Sequence, residues 1–275
     1  LPITIDQVSG GMGVLNGSKS ICYIIRRSSA ITTAVSLKNN YFEVPGFDAG
    51  SPTADIVNNI KQLTYEAIIR VNNFKTDEFP KKEIATIMGI EQYCLFRIGD
   101  AGFPLQQLQF SSPGENKFPN ADTGKLLQPS EWYHGAVVYD TEKKTAVIYV
   151  DGREQSRIED YGNGEPVNLG KQTRGKDFMF KIGHSYGDPD YMERQLDGEI
   201  CEVRVWNVAR SQQEIFDNMY NIEDPANTPG LQAYWKFNEG EGDIAKDYTG
   251  HGNDAKAYVK ATWPAGIEVT QKNKE

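Results

Sequence analysis

The sequence predicts an all-β fold, a sandwich of two antiparallel sheets carrying one or two short helices. About a dozen short stretches carry strand signals, with a clear period of two over Gln62–Phe74. Loops rich in Gly, Pro and Asn separate these stretches. The alternating strand–helix order of a parallel sheet is absent, so two antiparallel sheets closing on one core, a jelly-roll-like sandwich, are the expected architecture.

Residues 1–36 open with a candidate hairpin, Ile3–Val8, Gly10–Gly13 and Ile21–Arg26, before the polar connection SSAITTA. So short a stretch cannot bury a core by itself. It is expected to be the end of a preceding domain, with the main domain running over 37–275. Tyr41–Val44 is a short strand, and Asp55–Gln62 is amphipathic enough for a helical turn. Gln62–Phe74 places Leu63, Tyr65, Ala67, Ile69 and Val71 on one face and Thr64, Glu66, Ile68, Arg70 and Asn72 on the other. Tyr93–Ile98 and Leu108–Phe110 are further strands, followed by the loop Ser112–Asn120. Trp132–Arg153 reads as strand, polar TEKK turn, strand and then Asp151-Gly152, a strong hairpin signal. Phe178–His184, Gly198–Trp206 and Ala233–Phe237 complete the strands. Ser211 to Glu214 form a capping box, with Ile215 and Met219 four residues apart behind it, so a helix starts there and ends near Asn221–Pro225.

Composition narrows the function. The chain of 275 residues has 38 Asp and Glu against 29 Lys and Arg, a net charge of −9. An acidic chain without a basic cluster is a poor partner for nucleic acid or an anionic membrane. No apolar run approaches the roughly 18 residues of a membrane span. Cys22, Cys94 and Cys201 are too sparse for a disulfide scaffold or a zinc site, and are expected to be reduced or buried. The histidines, His134, His184 and His251, are not paired at ligand spacing. The first residue is Leu1, consistent with a processed protein or a fragment.

The order of motifs resembles the laminin-G-like jelly rolls of the concanavalin A-like lectin/glucanase superfamily. Gln62–Phe74 resembles the family's fTiEaWV strand, and EWYHGAVVYDTEKKTAVIYVDG (Glu131–Gly152) its W-H-V-A-V-x-Y-D … L-Y-V-D-G hairpin. Lys181–Gly183 with LDGEICEVRVWNVAR (Leu196–Arg210) is similar to the iG … G-x-I-D-E-V-R-I-W block, and SQQEI follows in place. AYWKFNEGEGDIAKDYTGHGNDA (Ala233–Ala255) resembles the YWkFdEGsG … D-x-S-G-n-G-N-d-A element. The likeness spans roughly Leu37 to Trp263. Two departures stand out: Cys201 replaces the family's Asp, and Tyr133-His134-Gly135 shifts the W-H-V pattern by one. The leading segment is similar to the tail of a small β-domain that precedes such jelly rolls in Bacteroidetes surface lipoproteins. That resemblance implies an exported protein at the cell envelope, lipid-anchored through a missing N-terminus.

Three chemistries are candidates. A retaining glycosidase needs two carboxylates about 5–5.5 Å apart. The nearest string, Asp188 to Glu193, contains Pro189 and reads as a loop, while strict alternation puts Glu199 and Glu202 on opposite faces. Catalysis is therefore not expected. Calcium needs six to eight oxygens, and the densest source is Asn238–Asp254, with Glu239, Asp247, Asn253 and Asp254 as candidate ligands. The competing reading has Asp247 and Asn253 capping turns. Carbohydrate recognition pairs aromatic faces with hydrogen-bonding side chains. The loops carrying Tyr186, Asp188, Asp190, Tyr191 and Arg194, and Tyr161 and Asn163, offer both. Trp132, Trp206 and Trp235 lie in motif strands and are expected in the core. The expectation is a non-catalytic glycan-binding module of a surface protein, with calcium as a candidate cofactor. A protein-interaction module is the alternative, and a glycoside hydrolase a more distant one.

Overall fold

The computed structural model describes residues 10–15, 18–23, 31–48, 54–75, 84–91, 93–100, 103–112, 126–170, 172–173, 177–185 and 194–271. The chain divides into two compact units, Leu1–Ala30 and Ile31–Glu275. In the first, β1 (Gly10–Leu15) and β2 (Ser18–Tyr23) form an antiparallel hairpin. Residues 31–36 join the second unit: Ile31 bridges to Val269, Val35 pairs with Ile200, and the Ser36 N–H donates to the Thr262 carbonyl at 2.9 Å. The boundary thus falls before Ile31 rather than after residue 36.

The second unit is an all-β sandwich of two antiparallel sheets, each seven-stranded among the described residues. Across the first sheet lie β11 (Arg153–Ile158), β10 (Thr145–Val150), β9 (Trp132–Asp140), β5 (Gln62–Val71), β15 (Gly198–Trp206) and β16 (Leu231–Trp235), with β3 (Val35–Ser36) also on β15. Across the second lie β17 (Ile244–Ala245), β18 (Ala255–Ala257), β4 (Phe42–Glu43), β14 (Lys181–Ile182), β6 (Ala85–Ile90), β7 (Cys94–Ile98) and β8 (Leu108–Ser111). A short hairpin pairs β12 (Gln172–Thr173) with β13 (Asp177–Phe178).

Pleating sorts the side chains of each sheet into inward and outward rows. In the first sheet Ala233, Val205, Tyr65, Val137 and Ile148 stand opposite one another and enter the core. The next row, Tyr234, Arg204, Glu66, Ala136, Tyr149 and Glu154, faces outward. In the second sheet the inward row is Ala257, Phe42, Ile182, Met88, Phe96 and Phe110. Its outward row is Ile244, Lys256, Glu43, Lys181, Gly89, Leu95 and Ser111. Phe47, Phe180 and Trp235 stack at the centre of the core, with ring centroids 4.9–6.2 Å apart. Trp206 is buried on the outer side of the first sheet under the Arg210 guanidinium, and Trp132 is half-buried beside Arg70.

The hairpin signals hold. Asp151 and Gly152 adopt φ of 51° and 70°, the left-handed pair that suits the twist of β10 and β11. A Cβ on Gly152 would stand 2.6 Å from the Phe216 ring, so the glycine also lets the hairpin abut the helix. That helix, α1 (Gln212–Asn218), starts at the expected capping box: the Ser211 N–H donates to Glu214 Oε2 at 2.7 Å and the Glu214 N–H to Ser211 Oγ at 3.3 Å. Ile215 then packs on Ala136, Val138, Val147 and Tyr149.

Candidate functional site

The two outer faces have opposite characters. On the first sheet, the face that carries Thr64, Glu66 and Arg70 is closed. α1 covers its apolar part, and beside it a fully buried ion cluster forms around Glu66. The Glu66 carboxylate is hydrogen-bonded to His134 Nε2 (3.0 Å), and it accepts from Arg204 Nη1 (3.3 Å) and Arg210 Nη1 (2.9 Å). Burial alone would raise this carboxyl, but the His134 hydrogen bond and the two guanidinium charges bring it down to about 2. Arg204 also donates to the Asn218 and Met219 carbonyls at the end of α1, and Arg210 to the Glu214 carbonyl.

A bulge on β15 corrects one expectation. Glu202 has φ of 53°, and the pairing with β5 shifts between Cys201 and Arg204. The extra residue brings Glu202 to the outward side, where Arg204 (2.5 Å) and the Tyr234 hydroxyl bond it. Glu199, on that same side, accepts from Arg70 Nε at 2.9 Å. The two carboxylates share a face rather than opposing each other, each held by its own arginine.

The outer face of the second sheet keeps hydrogen-bonding capacity in hand. Thr86, Arg97 and Gln109 stand opposite one another on β6, β7 and β8, and all three are buried. Among the described residues, Thr86 Oγ1 and Gln109 Oε1 have no hydrogen-bond partner. Arg97 bonds Asp100, and burial pushes its guanidinium below the ordinary arginine value against the pull of that carboxylate. At the end of β6 the buried Glu91 accepts from Ser185 Oγ (2.5 Å) and Arg194 Nη1 (2.7 Å). Towards the other edge, the buried Tyr41 ring is stacked between His184 (centroids 4.9 Å) and Tyr258 (4.6 Å). The Lys181 ammonium lies 4.5 Å from the Tyr41 centroid and 3.7 Å from Glu43; burial pushes it down and Glu43 pulls it back.

The residues expected at the site divide three ways. Tyr186, Asp188, Asp190 and Tyr191 lie outside the described residues. Arg194 reaches the second sheet's outer face, half-buried against Glu91. Tyr161 does not belong to a binding surface: it is fully buried, its hydroxyl donating to the Phe110 carbonyl at 2.8 Å, its ring packed on Phe110 and Tyr139. Asn163 is exposed at a turn that its own Oδ1 closes on the Glu165 N–H.

The proposed calcium ligands do not fit a calcium shell as they stand. Asp247 accepts from the Tyr234, Thr249 and Asn253 N–H groups and from the Thr249 hydroxyl, so both its oxygens serve the turn. Asp254 bonds the Asp247 N–H, and the Asn253 carbonyl takes the Trp235 indole at 2.7 Å. Glu239 Oε1 accepts from the Lys246 N–H, while its Oε2 is buried without a partner. Among the described residues no three His, Cys, Asp or Glu side chains gather as a metal site would require.

Sequence reasoning missed Thr86, Arg97, Gln109, Tyr41 and Tyr258. β6 was itself unread, although IATIMGI is a continuous apolar run; its one polar side chain, Thr86, faces outward.

A family profile described as "Concanavalin A-like lectin/glucanases superfamily", laminin G type, matches residues 45–216. The chain belongs to this superfamily. A crystal structure from Bacteroides ovatus ATCC 8483, titled a "putative carbohydrate binding protein", shares 29% identity and a TM-score of 0.70. It covers 94% of this chain and 67% of that one. The heptameric SAP-like pentraxin of Limulus polyphemus is 12% identical at TM-score 0.46, over 68% of this chain and 81% of the pentraxin. Domain 4 of AbnA, a GH43 extracellular arabinanase of Geobacillus stearothermophilus in complex with arabinotriose, is 14% identical at TM-score 0.42, over 77% and 81%. No curated protein matches the chain. Concanavalin A-like sandwiches serve many chemistries, so the fold does not by itself assign one here. No described helix is long and apolar enough to cross a membrane.

Proposed function

We propose that the chain is a non-catalytic carbohydrate-binding module that recognises glycan on the outer face of the second sheet. In the second sheet the Thr86–Arg97–Gln109 row is buried at 0, 5 and 1% exposure, with oxygens at Thr86 and Gln109 left without partners among the described residues. A buried polar atom left unpaired costs about 1–3 kcal/mol, so such a row favours a polar ligand or ordered water. Ordered water satisfies such a row in the free chain, and a sugar hydroxyl, both donor and acceptor, would do so by displacing that water. Among the described residues the first sheet also buries unpartnered atoms, at His134 Nδ1, Arg204 Nε and Trp206 Nε1, but there α1 and the Glu66 cluster occupy the outer face. The observation that carries this reading is the likeness to the Bacteroides ovatus protein, 29% identical over 94% of this chain. The pairing of Glu199 with Arg70, and of Glu202 with Arg204, supports binding over hydrolysis.

Recognition would be an equilibrium between free and bound glycan, with the half-buried Arg194 directing hydroxyls, Arg97 and Gln109 lining the floor beneath, and Tyr186 or Tyr191 supplying a stacking face. Export to the cell envelope, with a lipid anchor outside this chain, is part of the proposal and rests on the resemblance of the leading segment. The test is affinity electrophoresis in gels containing single polysaccharides, repeated with calcium and with chelator. The native chain is expected to be retarded by one saccharide class, without release of reducing ends, and Gln109→Ala to be retarded less. Loss of retardation in chelator alone would point to calcium near Glu239. Retardation by no polysaccharide under either condition would overturn the reading.

A further inference from the structure

Exposed tyrosines on a protein surface ordinarily lack a packed partner for the ring, and Tyr258 has one. It is 43% exposed, yet one face of its ring lies 4.6 Å from Tyr41 at an interplanar angle of 9°. Tyr41 is buried and is held from its other side by His184. The three rings come from positions 41, 184 and 258, brought together because β4 pairs with both β14 and β18 and the Tyr258 N–H donates to the Tyr41 carbonyl at 2.9 Å. The outer ring therefore has its orientation fixed before any ligand arrives, which removes part of the entropic cost of binding.

Its neighbours have complementary chemistry. Lys256, two residues earlier on the same face, stands opposite Glu43. A lysine only donates and a glutamate only accepts, so the pair suits adjacent hydroxyls, which do both. Ile244, opposite Lys256 on the edge strand, is 47% exposed and extends the apolar surface. An aromatic face beside one donor and one acceptor is the requirement of a pyranose ring: its C–H face stacks while its rim hydroxyls bond.

We propose that Tyr258 is the stacking platform of a sugar subsite, with Lys256 and Glu43 directing hydroxyls of a neutral pyranose unit. These residues lie outside the span matched by the family profile. The inference rests on the carbohydrate-binding reading and adds a place that reading does not contain. β18 lies four strands from β7, about 19 Å at ordinary strand spacing, so a ligand touching both Tyr258 and Arg97 would be an oligosaccharide longer than two rings.

The test is titration calorimetry of the full chain with cello-, manno-, xylo- and malto-hexaose, for the native protein, Tyr258→Ala and Tyr258→Phe, with thermal melting of each as the folding check. For the hexaose that the native chain binds, Tyr258→Ala is expected to lose about tenfold in affinity, equivalent to about 1.4 kcal/mol, and Tyr258→Phe to restore it. Unchanged affinity in a folded Tyr258→Ala would overturn the platform and leave the proposed function standing. Binding of no hexaose by the native chain would overturn both.

Discussion

At the scale of single residues, the buried Glu66 shows how charge is tolerated beneath a sheet. Removing two arginines and a carboxylate from water is costly, and the arrangement survives because both arginines and His134 bond the carboxylate, although Arg204 Nε and His134 Nδ1 are left without partners among the described residues. Its carboxyl sits at about 2, below the ordinary 4.5, so the native state holds the ionised form more firmly than the unfolded chain does. That contribution is fully present above pH 4.5 and is lost as pH falls through about 2. Unfolding free energies by urea are therefore expected to decline across this window, and Glu66→Gln to remove that part of the decline. Glu66→Gln should also cost about 3–5 kcal/mol at neutral pH by leaving Arg204 and Arg210 without their carboxylate. A variant as stable as the native chain would contradict this role. None of it is legible in the strand pattern, which marks Glu66 only as outward-facing; its burial comes from α1 and from arginines more than 130 residues away. Tyr161 failed as a binding residue for the same reason, since a tyrosine beside glycines looks alike whether it caps the core or meets solvent.

At the scale of elements, what is encoded locally was readable. The Asp151–Gly152 hairpin and the Ser211–Glu214 capping box appear where their residues place them, because each depends on contacts within a few positions. Ser211→Ala is expected to cost about 1 kcal/mol, read as a lowered melting temperature. The bulge at Glu202 was not readable, because an extra residue in β15 is defined only against β5 and β16. Gly89 is a sharper case. It adopts φ of 124°, and a Cβ there would stand 2.2 Å from the Cys94 carbonyl oxygen. Gly89→Ala should therefore destabilise the β6–β7 pairing by more than about 2 kcal/mol and weaken any ligand held by Thr86 and Arg97. A neutral substitution would show that this turn yields more easily than its geometry implies.

At the scale of the whole molecule, the two-sheet sandwich and its superfamily were legible because several motifs recur in order along the chain. The proposed binding face was not, because it is assembled from strands at 42–43, 85–90, 94–98, 108–111, 181–182 and 255–257 that meet only in the folded sheet. The sandwich has two outward faces and uses them differently. One is closed by a helix and an ion cluster; on the other the polar row is buried as well, and Tyr258 and Ile244 are exposed at its edge. The central claim is that glycan binds the second. Its most direct test is a backbone amide shift map of the isotope-labelled chain, titrated with the hexaose that calorimetry selects. Shifts are expected to cluster at residues 86, 97, 109, 181–185 and 256–259, with the helix at 212–218 and the Glu66 cluster unmoved. Shifts confined to the first sheet and its helix, or none at saturating hexaose, would contradict it.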